Sequence, residues 1–191
     1  MFAAILDTCA LWPSAQRDGL LSWAAEGLFR PLWSSAILAE PEYHETTKWI
    51  ERGQSPSEAQ RRGNGLIRAM SSAFDDACVT AWEPLDGACG LPDPDDEHLV
   101  AAAVIGGAGA IVSDNTRDLP GDLIPEGIHV LTAAQFAADT VWLAPAVALA
   151  AVRTMVSRYV APPRNVDEVL THLQAKNHWD DAVAELRAVQ E

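Results

Sequence analysis

Residues 2–6 form an apolar run that stops abruptly at Asp7, and this feature most constrains the fold. A short, uniformly apolar segment ending in a carboxylate is the pattern of a strand buried on both faces of a parallel sheet. Its polar residue then sits at the carboxyl end of the strand. The pattern recurs at Ala110-Ile111-Val112-Ser113, followed by Asp114, and at Ile128-His129-Val130-Leu131, followed by Thr132. Shorter apolar pieces at Pro31-Leu32-Trp33 and at residues 78–82 predict two further strands.

Helical patterns fill the intervals: residues 15–28, 36–51, 56–74, 96–105 and 132–139. Ser34 or Ser35 is a suitable N-cap for the second, Pro56 suits the first position of the third, and Gly106-Gly107 stops the fourth. Pro41 lies inside the second helix, which is therefore expected to bend there or to begin one turn later. Residues 83–94, rich in Pro and Gly, read as a loop. Strands alternating with helices imply βαβ units and an α/β fold with a parallel sheet. From Trp142 onward the character changes to three helical pieces, 143–160, 166–175 and 178–189. The chain therefore divides into an α/β domain, 1–140, and a helical C-terminal extension, 141–191.

The N-terminus lacks a basic region and meets Asp7 early, so it reads as a first strand and not as a signal peptide. No apolar run reaches the roughly 18 residues of a membrane span. Cys9, Cys78 and Cys89 are odd in number and contain no CxxC pair, which argues against a disulfide scaffold or a thiolate zinc site and suits a reducing cytoplasm. Thirteen basic against 27 acidic residues give a net charge of −14. A protein gripping nucleic acid mainly by neutralising phosphates should be basic. Three readings follow: the chain avoids nucleic acid, metal ions and a few local Arg and Lys make the contacts, or the acidic surface meets a basic partner. No GxxxxGK[ST] or GxGxxG motif supports nucleotide binding.

Ligands of a parallel α/β sheet bind outside the carboxyl ends of its strands. Asp7 lies at one such end, and Asp114, Asn115 and Asp118 follow another. Asp93, Asp95 and Asp96 open the helix feeding that second strand, and Glu40 lies in the first turns of the helix after Pro31-Leu32-Trp33. Acidic positions distant in sequence thus converge on one rim. Crowded carboxylates repel and take up protons unless a cation neutralises them. Mg²⁺ or Mn²⁺, ligated by oxygen, is the natural occupant, keeping waters and substrate phosphate in its remaining positions.

These residues resemble the PIN-domain family. Ile5-Leu6-Asp7-Thr8 looks like its hydrophobic-Asp-Thr/Ser opening, and Ser34-Ser35-Ala36-Ile37-Leu38-Ala39-Glu40 is similar to the helix that carries its second acidic residue. The run Asp93-Pro94-Asp95-Asp96-Glu97-His98, then Gly106-Gly107-Ala108 and Ile111-Val112-Ser113, looks like the third motif and its strand. Asn115 and Asp118-Leu119 match the fourth region, and the whole likeness covers about residues 1–140. The resemblance implies a three-layer α/β/α sandwich and a metal-dependent endoribonuclease, often the VapC-like toxin of a toxin–antitoxin pair. It implies an RNA substrate, a cognate antitoxin and a homodimer. It makes Asp7, Glu40 and Asp96 metal-site carboxylates, with Thr8 and Ser113 as polar supports. Many relatives carry Asp where this chain has Asn115, so Asp118 or Asp114 supplies the fourth charge. The competing function is a non-catalytic or RNA-processing module whose acidic rim binds a basic protein. An aspartyl-phosphate phosphotransferase ranks lower, since Asp7-Thr8-Cys9 lacks a second Asp two residues on.

Other residues invite a role. Trp12 and Trp49 could flank the site in a partner groove. Arg17, Arg30, Arg61, Arg62 and Arg117 could touch RNA phosphates, although solvated surface is the plainer reading. His98, two residues after Asp96, could face the site or pack.

Overall fold

The computed structural model describes residues 1–160 and 162–190. Its sheet contains β1 (Ala3–Leu6), β2 (Arg30–Ser34), β3 (Cys78–Val79), β4 (Ala110–Val112) and β5 (His129–Leu131), in the order β3-β2-β1-β4-β5. Every pairing is parallel. The helices are α1 (Thr8–Leu11), α2 (Ser14–Ala25), α3 (Ser35–Glu51), α4 (Pro56–Ala73), α5 (Glu97–Gly106), α6 (Ala133–Leu143), α7 (Pro145–Ser157), α8 (Val166–Asn177) and α9 (Asp180–Ala188).

The strand order reverses direction at β1. Right-handed crossovers therefore place α5 on the face opposite α2, so the architecture is helix, sheet, helix. The reversal also opens a crevice between β1 and β4 at their carboxyl ends. Register decides what faces it: Ile5 pairs with Ile111 and Leu6 with Val112, so Asp7 and Ser113 emerge side by side. Ala4, Ile5, Leu6, Ile111 and Val112 are wholly buried, which fits the uniform apolarity of both runs.

Several expected boundaries move. Residues 8–11 form a helical turn because Asp7 caps it, its Oδ1 accepting from the Thr8 amide at 2.6 Å. The strand expected over 78–82 pairs only at Cys78 and Val79, and Ala81 turns the chain away with φ 60. The helix expected at 143–160 begins at Pro145. Pro145 lacks the amide hydrogen needed to continue α6, and Ala144 takes φ −152, ψ 69.

Pro41 neither bends α3 out of existence nor delays it: the helix starts at Ser35, with the Ser34 hydroxyl accepting from the Ile37 amide at 3.2 Å. A proline at 41 leaves the Ile37 carbonyl without its helical donor. The Thr8 hydroxyl donates to that carbonyl at 3.4 Å and fills the gap from another element.

The C-terminal helices share the core of the α/β layers. Trp23 of α2 and Trp179 are wholly buried and stack with centroids 5.1 Å apart. The Trp23 indole N–H donates to the Ala148 carbonyl at 3.1 Å. Gly19 permits this approach, since a Cβ there would lie 3.1 Å from Trp179 Cη2. No single described helix is long and apolar enough to cross a membrane.

Candidate metal centre

Asp7 is the anchor of the crevice. Its Oδ2 accepts from the Ser113 hydroxyl at 2.7 Å and from the Cys9 thiol at 3.0 Å, while Oδ1 holds the Thr8 amide. Ser113 is wholly buried, and its Oγ also accepts from the Asn115 amide at 3.1 Å. Burial, reinforced by the Asp7 charge, pushes the Cys9 thiol up to about 12, so it remains protonated and keeps donating. The Asp114 amide in turn donates to Cys9 Sγ at 3.0 Å. Two strand ends are thereby laced together beneath one carboxylate.

Across the crevice, one oxygen from each of Asp93, Asp96 and Asp118 lies within 4.8 Å of the others. Burial raises the Asp96 carboxyl to about 6, and the charges of Asp7, Asp93, Asp118 and Glu40 add to the effect in that order. Asp96 therefore senses all four as neighbours. Asn115 Nδ2 donates to Asp96 Oδ2 at 3.0 Å and orients it.

Oxygens bound to one Mg²⁺ at about 2.1 Å stand about 3 to 4.2 Å apart, so small side-chain rotations bring the three carboxylates onto a common ion. The donor set is hard oxygen throughout, and a carboxyl whose ionised form is disfavoured by burial and by like charges gains most from a cation. The residues fit a divalent metal.

The residues singled out from sequence divide by position. Asp7, Asp96, Asp118 and Glu40 reach the same crevice, with Glu40 exposed on α3. Ser113 and Asn115 bond directly to Asp7 and Asp96. Thr8 supports Asp7 through its amide, while its hydroxyl goes to Ile37. Asp114 turns away: its Oδ1 accepts from the Ala133 amide at 3.0 Å, at the start of α6. Of Asp114 and Asp118, it is Asp118 whose carboxylate clusters with Asp96.

Three residues take roles at the site that the sequence did not assign them, although Asp93 was already placed at its rim. Asp93 caps the turn before α5, accepting from the Asp95 amide at 2.9 Å, and also joins the acidic triad. Its place three residues before Asp96 was the available signal. Cys9, weighed from sequence only against a disulfide or zinc role, is a donor to Asp7. Glu97 is a buried brace. Burial alone would raise its carboxyl, yet the amides of Leu91 and Cys89, at 2.6 and 3.0 Å, prevail and hold it below the usual range. It thereby locks the loop that delivers Asp93.

Among the expected phosphate contacts, Arg17 is buried and donates to the Leu11 carbonyl and to Asp18. Arg30 pairs with Asp76 at 2.7 Å, and both Arg61 and Arg62 pair with Glu58. Arg117 is exposed beside Asp118. His98 packs against Trp82, 6.0 Å between centroids, with Nδ1 buried and unpartnered among the described residues. Trp12 lies 5.0 Å from the His44 ring and under the Lys48 ammonium; Trp49 meets the cations of Lys48, Arg52 and Arg62.

No curated protein and no solved structure matches the chain. The model of the VapC50 C-terminal domain matches residues 133–188, covering α6 to α9. The model of the PIN domain matches residues 3–117, which carry β1 to β4, Asp7, Glu40, Asp93 and Asp96. With well over half of its length matched and its acidic crevice at the strand ends, this chain belongs to the PIN-domain family.

Proposed function

We propose that the protein is a Mg²⁺- or Mn²⁺-dependent endoribonuclease, the VapC-like toxin of a type II toxin–antitoxin pair. PIN and VapC domains are nucleases as families, which supports phosphodiester hydrolysis in general terms. The observation that carries the reading is the approach of Asp93, Asp96 and Asp118 to a common point, with Asp7 and Glu40 as charged neighbours of Asp96.

Asp93, Asp96 and Asp118, together with Asp7, would surround the ion, with Glu40 at its margin. The bound metal would supply positive charge for the scissile phosphate and acidify a water to attack phosphorus. The chain's own groups do the rest. Ser113 and Cys9 fix the rotamer of Asp7, Asn115 fixes that of Asp96, and Arg117 stands at the rim to meet phosphate. This arrangement reconciles RNA binding with a net charge of −14, since repulsion is offset where metal and phosphate meet.

The catalytic unit is residues 1–140, and residues 141–191 are a helical buttress packed through Trp179. The setting is the cytoplasm, consistent with three free cysteines. A cognate antitoxin covers the acidic crevice, with an Arg paired to its carboxylates, and the toxin is a homodimer. A small neighbouring reading frame encoding a DNA-binding protein would support the pairing.

The decisive experiment incubates the purified full chain with single-stranded RNA and Mg²⁺ or EDTA. Cleavage should need the metal and fall to background in Asp7→Asn and in Asp96→Asn. Wild-type rates in either purified variant would overturn the proposed mechanism, whereas no cleavage by the wild-type chain with Mg²⁺ or Mn²⁺ would leave a module that binds a basic partner without chemistry.

A further inference from the structure

A cleft with several cationic side chains in its lining lies away from the carboxylates. About 720 Å³ in volume, it opens between the start of α2 and the α7–α8 connection. Arg158, Arg164, His172 and Lys176 line it, together with Tyr159 and Asp18. In a chain with 27 acidic and 13 basic residues, cations should find carboxylates readily. Here they do not. Among the described residues Arg158, Arg164 and Lys176 make no ion pair. Arg158 donates to the neutral Ser22 hydroxyl at 2.9 Å, and the Arg164 guanidinium lies 5.6 Å from the Tyr159 ring. The one carboxylate of the lining is already engaged: Asp18 accepts from the Tyr159 hydroxyl at 3.0 Å and pairs with Arg17 at 3.3 Å. The cleft is therefore a local cationic basin on an acidic protein.

Its position matters as much as its charge. Pro13 and Ser14 form one wall. Five residues, folded partly into α1, lie between Asp7 and Pro13, a reach of at most about 22 Å along the chain. Unpaired cations beside an aromatic ring are how proteins hold a single-stranded backbone and stack its bases. The volume falls within the range of about 300–1,000 Å³ that admits small ligand groups, which suits nucleotides better than a folded partner.

We propose that this cleft holds the phosphate backbone of single-stranded RNA to one side of the cut, with Arg158, Arg164 and Lys176 as the phosphate contacts. The proposal rests on the ribonuclease reading above. The C-terminal helices thereby supply a cationic track beside the acidic crevice of the α/β domain.

The test measures anisotropy of a fluorescein-labelled 12-nucleotide RNA with Mg²⁺, using full-length protein carrying Asp7→Asn to prevent cleavage. Adding Arg164→Gln and Lys176→Gln, both exposed and unpaired, should weaken binding about tenfold and reduce the slope of log K against log salt by about 1.4, or about 0.7 per lost contact. Arg164→Lys with Lys176→Arg should restore the slope. An unchanged slope and affinity in the Gln variant would overturn the proposal. So would intact RNA binding accompanied by lost binding of a polyglutamate peptide, which would assign the cleft to an acidic protein segment. Because binding is read without cleavage, failure of the nuclease reading shows separately, as a wild-type chain that binds this RNA but does not cut it.

Discussion

The Thr8 hydroxyl donates to the Ile37 carbonyl, the acceptor that Pro41 deprives of its helical partner. A residue beside Asp7 thus completes the helix that carries Glu40. Thr8→Val keeps the shape and removes the donor, leaving a buried carbonyl unsatisfied at a cost of about 1–2 kcal/mol. Pro41→Ala would return an amide to that carbonyl. The cost of Thr8→Val should therefore shrink by about 0.5–1 kcal/mol on the Pro41→Ala background in a double-mutant cycle of urea unfolding. Equal costs on both backgrounds would show that the two groups are not coupled.

Two aspartates near β4 and α5 should respond oppositely to mutation. Asp93→Asn removes one of the three clustered carboxylates and should weaken Mg²⁺ binding about 10- to 100-fold with little loss of stability. Asp114→Asn weakens a charge-assisted bond to the Ala133 amide, 19 residues away, and should cost about 1 kcal/mol while leaving Mg²⁺ affinity near wild type. Calorimetric metal titration alongside thermal melting separates the two, and an exchange of phenotypes would reverse the assignment.

How much of this was legible in the sequence depends on the range of the forces involved. The runs at 2–6 and 110–113 were readable because burial on both faces demands unbroken apolarity, and their register then places Asp7 beside Ser113. The helical turn Thr8–Leu11 was not, since four residues cannot display a period. Asp93 read correctly as a cap, yet its second role depends on how the 83–94 loop is held. That loop is held by Glu97, whose partners Cys89 and Leu91 precede it by eight and six residues. The orientation of Asp114 was invisible for the same reason: its partner, Ala133, is set by where α6 docks.

The raised Asp96 carboxyl makes metal binding a proton competition. Its folded value of about 6 exceeds the ordinary 3.8, so the metal-free native state binds more protons than the unfolded chain between those values. The stabilising contribution of neutral Asp96 is complete below about pH 3.8 and is lost as pH rises through about 6. Mg²⁺ reverses the preference by favouring the ionised form. Its affinity should fall as pH drops below about 6, binding should release a proton, and the rise in Tm on adding Mg²⁺ should be larger at pH 7.5 than at pH 5. A metal-induced shift of equal size at both values would contradict this site. EDTA should abolish the shift at either pH.

The stacking of Trp23 on Trp179 predicts that the chain unfolds as one unit. Trp179 comes from the link between α8 and α9, whereas Trp23 lies on α2, so the contact bridges the two regions matched separately at 3–117 and 133–188. Truncating a buried Trp to Ala costs about 3–5 kcal/mol. For a chain of this length about 2–4 °C of Tm is lost per kcal/mol, so Trp179→Ala should melt on the order of 10 °C lower. Gly19→Ala acts on the same contact from the other side, because its Cβ would meet the indole at 3.1 Å and the ring must shift by a few tenths of an ångström. It should lower Tm by a smaller amount. In both variants far-UV circular dichroism and Trp fluorescence should report one coincident transition. A separate early transition confined to the C-terminal helices, with the α/β layers melting as in wild type, would show that the extension folds independently and would remove the buttress role assigned to it.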